Sequence, residues 1–148
     1  MIVTANGNNG RNILENPTYP AFFSNTNPLV ISVGSVDWDR TRISSSNYLP
    51  YKSVFTIGGF VTLQPFFTSP QYGYFSGTSA AAPQVSGLAA VLIKLNSGYK
   101  GFSQKEAAIK TVYAITSTAS LANNPSYELG YGIINVAKAI EYATSSKD

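Results

Sequence analysis

The sequence predicts an α/β fold in which the strands of a parallel sheet precede a buried central helix and further helices. Three observations carry that expectation. Short runs rich in β-branched residues fill the first part of the chain, each joined to the next by a loop. Apolar stretches with helical spacing fill the rest. The composition, 44% hydrophobic and 11% charged over 148 residues, describes a chain that buries much of itself. That length suits one domain with a core and is too short for two ordinary ones, so residues 1–148 are expected to form a single unit.

Each element has its own warrant. Met1 to Ala5 reads as a short buried strand, followed by the turn residues Asn6-Gly7-Asn8-Asn9-Gly10. A polar loop with Pro17, Pro20 and Pro28 leads to a second strand, Leu29 to Val36, buried on at least one face. Residues 37–53, rich in Ser and Asn with mixed charge, read as a surface loop. Val54 to Ile57 makes a third strand, stopped by Gly58-Gly59. Phe60 to Phe67 and Tyr72 to Phe75 flank Ser69-Pro70 as an aromatic-rich hairpin. From Ser79 to about Leu95 the chain is small and apolar on almost every side, which calls for a helix surrounded by protein. A bulky residue at Gly87 is therefore expected to disrupt folding. Ser103-Gln104-Lys105-Glu106 is a capping box opening the next helix, with Ile109, Val112 and Tyr113 as its apolar stripe. Asn135 is placed to cap a last helix carrying Val136, Ala139, Ile140 and Ala143 at i, i+3, i+4 and i+7.

Composition narrows the chemistry further. The formal charge is +3, and the ten Lys and Arg are scattered singly, so no basic stripe points to nucleic acid as a ligand. Cysteine is absent, which excludes disulfides, thiolate metal sites and a cysteine nucleophile. Histidine is absent too, so no imidazole base and no complete Ser-His-Asp triad can come from this chain alone. Met1-Ile2-Val3-Thr4 lacks the basic lead-in of a secretory signal. The apolar run from Leu88 to Leu95 is interrupted by Lys94 and is too short for a bilayer, so no membrane is expected as a partner.

Two segments stand out chemically. In Gly77-Thr78-Ser79-Ala80-Ala81-Ala82-Pro83 a hydroxyl sits at the amino end of a helix, where free amides and the positive end of the dipole favour an anionic intermediate. Taken alone, Ser79 reads more readily as a plain helix cap, since serine is a favoured residue there. In Asn6-Gly7-Asn8-Asn9-Gly10, a side-chain amide on a tight turn can donate to a developing oxyanion, although Asn-Gly pairs are also everyday turn chemistry.

Their order along the chain adds weight. Ala5 to Gly10, Val30 to Asp37, Gly77 to Gly87 and Gly130 to Val136 form a series that resembles the carboxy-terminal half of the subtilisin-like serine peptidases. The resemblance implies a partial subtilisin-like fold, with 1–148 as the carboxy-terminal portion of a peptidase domain. It matches Ser79 to the nucleophile and Asn8 to the side-chain oxyanion donor. It matches Ala5, Asn6 and Gly7 to the strand edge and wall of the pocket for the residue before the cut, and Gly130 to Val136 to a structural glycine turn packed near the central helix. Ala80 stands where many members carry Met, and Gln84 where they often carry His. Lys52-Ser53-Val54-Phe55 lacks the carboxylates with which some relatives hold a cation, so no metal and no cofactor are expected.

The resemblance also implies what else the chemistry needs. In such enzymes the triad runs Asp, His, Ser, and none of Asp37, Asp39 and Asp148 sits in a family Asp motif. The triad Asp and His are expected upstream, and the chain alone is expected to be inert. Its expected partners are a peptide or protein substrate and either the amino-terminal part of the same domain or a second copy. Export from the cell is the family's expectation. The alternative reading is a pseudopeptidase fragment that serves as a binding module.

Overall fold

The structure is a computed structural model and describes residues 1–63, 73–99 and 102–145. Four strands form a parallel sheet: β1 (Ile2–Ala5), β2 (Val30–Val36), β3 (Val54–Ile57) and β6 (Gly132–Ile133), in the order β1-β2-β3-β6. Val3 lies beside Ile31, Val33 beside Val54, and Val54 beside Gly132. Every residue of β2 is buried. That is what a β-branched run does when it has strands on both sides and cover on both faces. β1 lies at an edge instead, and of the expected buried strand only Thr4 is buried, with Val3 and Ala5 half-buried and Ile2 52% exposed.

The hairpin is β4 (Val61–Leu63) against β5 (Gly73–Phe75), antiparallel, with Val61 opposite Phe75. Phe60 precedes it with a left-handed φ of 47°, and the rest of the expected hairpin, with Ser69-Pro70, lies outside the described residues.

Helix α1 (Thr78–Lys94) packs on β1, β2 and β3, α2 (Gln104–Ser117) packs on α1, and α3 (Val136–Ser145) packs on α2. Ala81, Val85, Leu88 and Leu92 of α1 meet Ile31, Val33 and Val54 of the sheet, and Ala114, Ile115, Ala139 and Ala143 complete the core. Each large member contributes about 1.5–3 kcal/mol by leaving water.

Helix α1 is not enclosed all round, however. Pro83, Gly87, Ala90 and Val91 face solvent, and a Cβ built on Gly87 meets nothing within 4 Å. The expectation that bulk at Gly87 overpacks this fold is thereby overturned. A π turn (Leu95–Tyr99) extends α1, and Thr78–Ser97 together is long and apolar enough to cross a bilayer by length and composition. The sequence expectation of too short a run does not hold, yet Ala81, Val85, Leu88 and Leu92 of this helix are buried in the core with the sheet.

The capping box of α2 forms as expected: the Ser103 hydroxyl accepts from Glu106 N–H and the Glu106 carboxylate accepts from Ser103 N–H. The stripe differs. Ala107, Ala108, Thr111, Ala114 and Ile115 face inward, while Ile109 and Tyr113 are exposed. Small residues let α2 approach α1 closely, and Tyr113 packs instead on Tyr142 of α3 at 5.7 Å between ring centroids. Asn135 caps α3 by accepting from Lys138 N–H at 3.0 Å. The glycine turn reaches the sheet, with Gly132-Ile133 pairing beside β3 and Tyr131 and Ile134 against the core. The stretch read as a surface loop dips inside at Ser46, Asn47 and Leu49. Leu49 joins Ile13 and Ala21 in a second small cluster, and Asn47 and Ser46 run beside the turn after β1.

Candidate active site

Two chain segments meet at the carboxyl end of β1 and the amino end of α1. The turn after β1 reverses through Gly7, whose φ of +97° suits glycine, and a Cβ there would lie 2.7 Å from the Asn47 side chain. Gly77 has φ +100°, and a Cβ there would lie 2.9 Å from Asn8 Oδ1. The absence of a side chain at Gly77 lets the two segments close on each other, and its absence at Gly7 lets the turn seat against Asn47.

Thr78, fully buried, joins them. Its backbone N–H and its hydroxyl both donate to Asn8 Oδ1 at 3.0 Å, and the hydroxyl accepts from Gly7 N–H at 3.1 Å. Because Thr78 N–H is only a donor, the atom of Asn8 that faces it must be the oxygen. The Nδ2 of Asn8 consequently points away, with no partner among the described residues. Asn8 thus does for α1 what a local cap normally does, accepting an orphan amide at the helix start.

Ser79 is not the cap. Gly77 holds that position without a side-chain bond, and Ser79 is the second helical residue. Its side chain is exposed, and neither its hydroxyl nor its backbone N–H has a partner among the described residues. A hydroxyl and a backbone amide without partners among the described residues thus lie at the positive end of the helix, one residue after the Thr78 that holds Asn8. What such donors do chemically is hold negative charge on an oxygen bonded next to the hydroxyl. No carboxylate or amine bonds to Ser79 among the described residues, and the sequence has no histidine.

The other sequence-named residues lie on the same strand and turn. Ala5 ends β1 and is half-buried. Asn6 is fully buried, and its Nδ2 donates to Asn47 O at 3.1 Å and to Ser53 Oγ at 2.9 Å. It supports the turn from within, and its Oδ1 has no hydrogen-bond partner among the described residues. Gly7 is tied on both sides, its N–H to Thr78 and its carbonyl to Asn47 N–H at 2.8 Å. Gln84 bridges α1 to β3, its Nε2 donating to Ile57 O at 2.6 Å and its Oε1 accepting from Thr56 Oγ1 at 3.0 Å. A cavity of about 590 Å³, lined by Val36, Arg40, Leu121 and Ile134 among others, has neither Ser79 nor Asn8 in its wall.

Sequence reasoning missed Thr78 and Asn47. Thr78 had a signal, a hydroxyl between the glycine break and Ser79. Asn47 had none, since it lies in a Ser- and Asn-rich stretch 41 positions from Asn6.

Comparison with known proteins places this arrangement in a family. Residues 1–132 match the subtilase family, peptidase S8. The chain is 36% identical over 143 residues to a thermophilic serine proteinase of Bacillus sp. strain AK1, covering 96% of this chain and 31% of that protein. It is 30% identical over 142 residues to thermitase of Thermoactinomyces vulgaris, covering 96% of this chain and 44% of that protein. The chain thus spans less than half the length of these relatives. Among solved structures, the protease domain of PatA superposes with a TM-score of 0.74 at 22% identity, over 99% of this chain and 49% of that one. The PatG macrocyclase, solved in complex with a peptide, superposes with a TM-score of 0.71 at 25% identity, over 97% of this chain and 43% of that one. With the family match over residues 1–132 and identities of 36% and 30% over 96% of its length, the chain belongs to the subtilase family of serine proteases.

Proposed function

We propose that this chain is the nucleophile- and oxyanion-bearing part of a subtilisin-like serine endopeptidase, completed by an Asp- and His-bearing segment outside residues 1–148. The observation that carries the reading is the fastening of Asn8 Oδ1 by both donors of Thr78, the residue before Ser79, which leaves Asn8 Nδ2 without a partner among the described residues. Ser79 Oγ attacks a peptide carbonyl while the histidine of the other segment takes its proton. Asn8 Nδ2 and Ser79 N–H bind the resulting oxyanion, a charge that exists only along the reaction path. The C–N bond then breaks, the amine leaves with the proton from histidine, and water hydrolyses the acyl-enzyme. Ala5, Asn6 and Gly7 form the strand edge and wall beside the residue before the cut. Peptide as substrate class agrees with the peptide held by PatG.

The partner segment has a place to dock. The edge of β1 and the exposed Pro83, Gly87, Ala90 and Val91 of α1 present unpaired backbone and apolar surface. Strand addition at β1 would extend the sheet and cover that helix face together. A second copy of the chain competes for the same surface. Following the family's expectation, the complete enzyme works outside the cell.

The test is hydrolysis of a peptide amide by the chain mixed with the matching Asp- and His-bearing segment. Turnover that needs both pieces and disappears in Ser79→Ala is the expected result. Turnover surviving Ser79→Ala, or none from the mixture, would overturn the reading.

A further inference from the structure

Asn47 lies outside the segments that carry the family resemblance, yet it grips the turn bearing Asn8 from both sides. Its Oδ1 accepts from Asn9 N–H and from Arg11 N–H, both at 2.9 Å. Its Nδ2 donates to the Asn6 carbonyl at 3.0 Å and to Thr18 Oγ1 at 3.2 Å. Its backbone N–H donates to the Gly7 carbonyl at 2.8 Å, and its backbone carbonyl accepts from Asn6 Nδ2 at 3.1 Å. Two lone pairs and two protons are all a primary amide offers, and here all four are used. The residue is 1% exposed, so water cannot stand in for any of them without entering the interior.

The pattern is specific. Asn47 does not touch Asn8, but it holds the residues immediately before and after it, Gly7 and Asn9. Thr78 then fixes the rotation of the Asn8 amide, while Asn47 fixes the backbone from which that amide extends. A donor aimed at a transition-state oxygen works only if it is in place beforehand, and displacement by about 1 Å can cost about 100-fold in rate.

We propose that Asn47 is a positioning residue for the oxyanion donor, setting the backbone of residues 6–11 so that Asn8 Nδ2 meets the developing charge. The proposal rests on the function proposed above. Alanine at this position leaves the Asn9 and Arg11 amides and the Asn6 carbonyl without their partner. Aspartate keeps both acceptor bonds to Asn9 and Arg11 and loses the donor half.

Two measurements on the parent, Asn47→Ala and Asn47→Asp decide the matter. In the 148-residue chain, amide hydrogen exchange is expected to show Asn9 and Arg11 protected in the parent and in Asn47→Asp and unprotected in Asn47→Ala. In the assembled two-piece enzyme, Asn47→Ala is expected to lower kcat about 10- to 100-fold, with KM changed less and Asn47→Asp recovering part of the loss. In an Asn8→Ala background the same Asn47→Ala change should alter kcat by less than about twofold, while its effect on Tm is undiminished. An equal kcat loss in both backgrounds would mean that Asn47 only supports the fold, and the proposal would fall. It would fall too if Asn47→Asp, with Asn9 and Arg11 protected, lost as much kcat as Asn47→Ala. A parent assembly without Ser79-dependent turnover would overturn the function itself and the catalytic role of Asn47 with it, whatever the exchange data show.

Discussion

The side-chain amide of Asn8 has two ends: the oxygen is spent on Thr78, capping α1, and the nitrogen has no partner among the described residues. On the proposed account Asn8→Ala removes an oxyanion donor and a helix cap together. In the assembled enzyme kcat should fall by about 2.7–4 kcal/mol of transition-state stabilisation, the loss measured for one such donor in a subtilisin, with KM nearly unchanged. Loss of the cap should also lower Tm, by an amount in keeping with about 1 kcal/mol. A kcat within twofold of the parent in steady-state assays would remove Asn8 from the reaction. Gly77→Ala tests the same junction from the other side. Its Cβ would press on Asn8 Oδ1 in a backbone region that L-residues rarely adopt, so both Tm and kcat should drop. The turn through Gly7 and the helix start at Thr78-Ser79 were legible in the sequence because turn glycines and a hydroxyl before an apolar run are local signals. Asn47 was not, because hydrogen bonds across about 40 positions leave no spacing to read.

At the level of elements, the helix caps were legible for the same local reason, and the buried faces were not. Ser103 with Glu106 and Asn135 with Lys138 each lie within three residues of their partner. Which side of α2 is buried depends on α1 and α3, so Ala107 and Thr111 are core while the larger Ile109 and Tyr113 are surface. The capping box also makes a pH prediction. The Ser103 hydroxyl, then the Ser103 N–H, hold the Glu106 carboxylate below its usual range. A depressed carboxylate contributes stability that is present above the unfolded value of about 4.3 and is lost as pH falls through the folded value. Protection of the first-turn amides of α2 should decline on acidification through that window, and Glu106→Gln should flatten the decline. An identical acid profile in Glu106→Gln would contradict the assignment. On α1, Gly87→Leu places its side chain in open space. In the chain alone it should leave Tm unchanged or slightly raised, since leucine favours helix over glycine by somewhat less than about 1 kcal/mol. The same variant should bind the Asp- and His-bearing segment less well if that segment covers this face. Thermal melts and titration of the two pieces check both halves, and a large drop in Tm of the chain alone would contradict the exposed face.

The molecule as a whole joins a finished interior to an unfinished surface. β2 and β3 are enclosed, whereas β1 lies at an edge of the sheet and α1 exposes Pro83, Gly87, Ala90 and Val91. The α/β class was legible from the order of strands and helices, but the edge was not, because a β-branched run reads alike in a central strand and an edge strand. On the proposed account one event, docking of the second segment, both completes the sheet and supplies the base that Ser79 lacks. A protonated serine hydroxyl is a poor nucleophile, and in subtilisin itself loss of the histidine lowers turnover by roughly six orders of magnitude. The most direct measurement is mass-spectrometric detection of Ser79 after treatment with a serine-directed phosphonate, with and without the Asp- and His-bearing segment, using Ser79→Ala as the blank. The account predicts negligible labelling of the chain alone and stoichiometric labelling at Ser79 once the segment is added. Strong Ser79-dependent labelling of the chain alone, or none in the assembly, would contradict it.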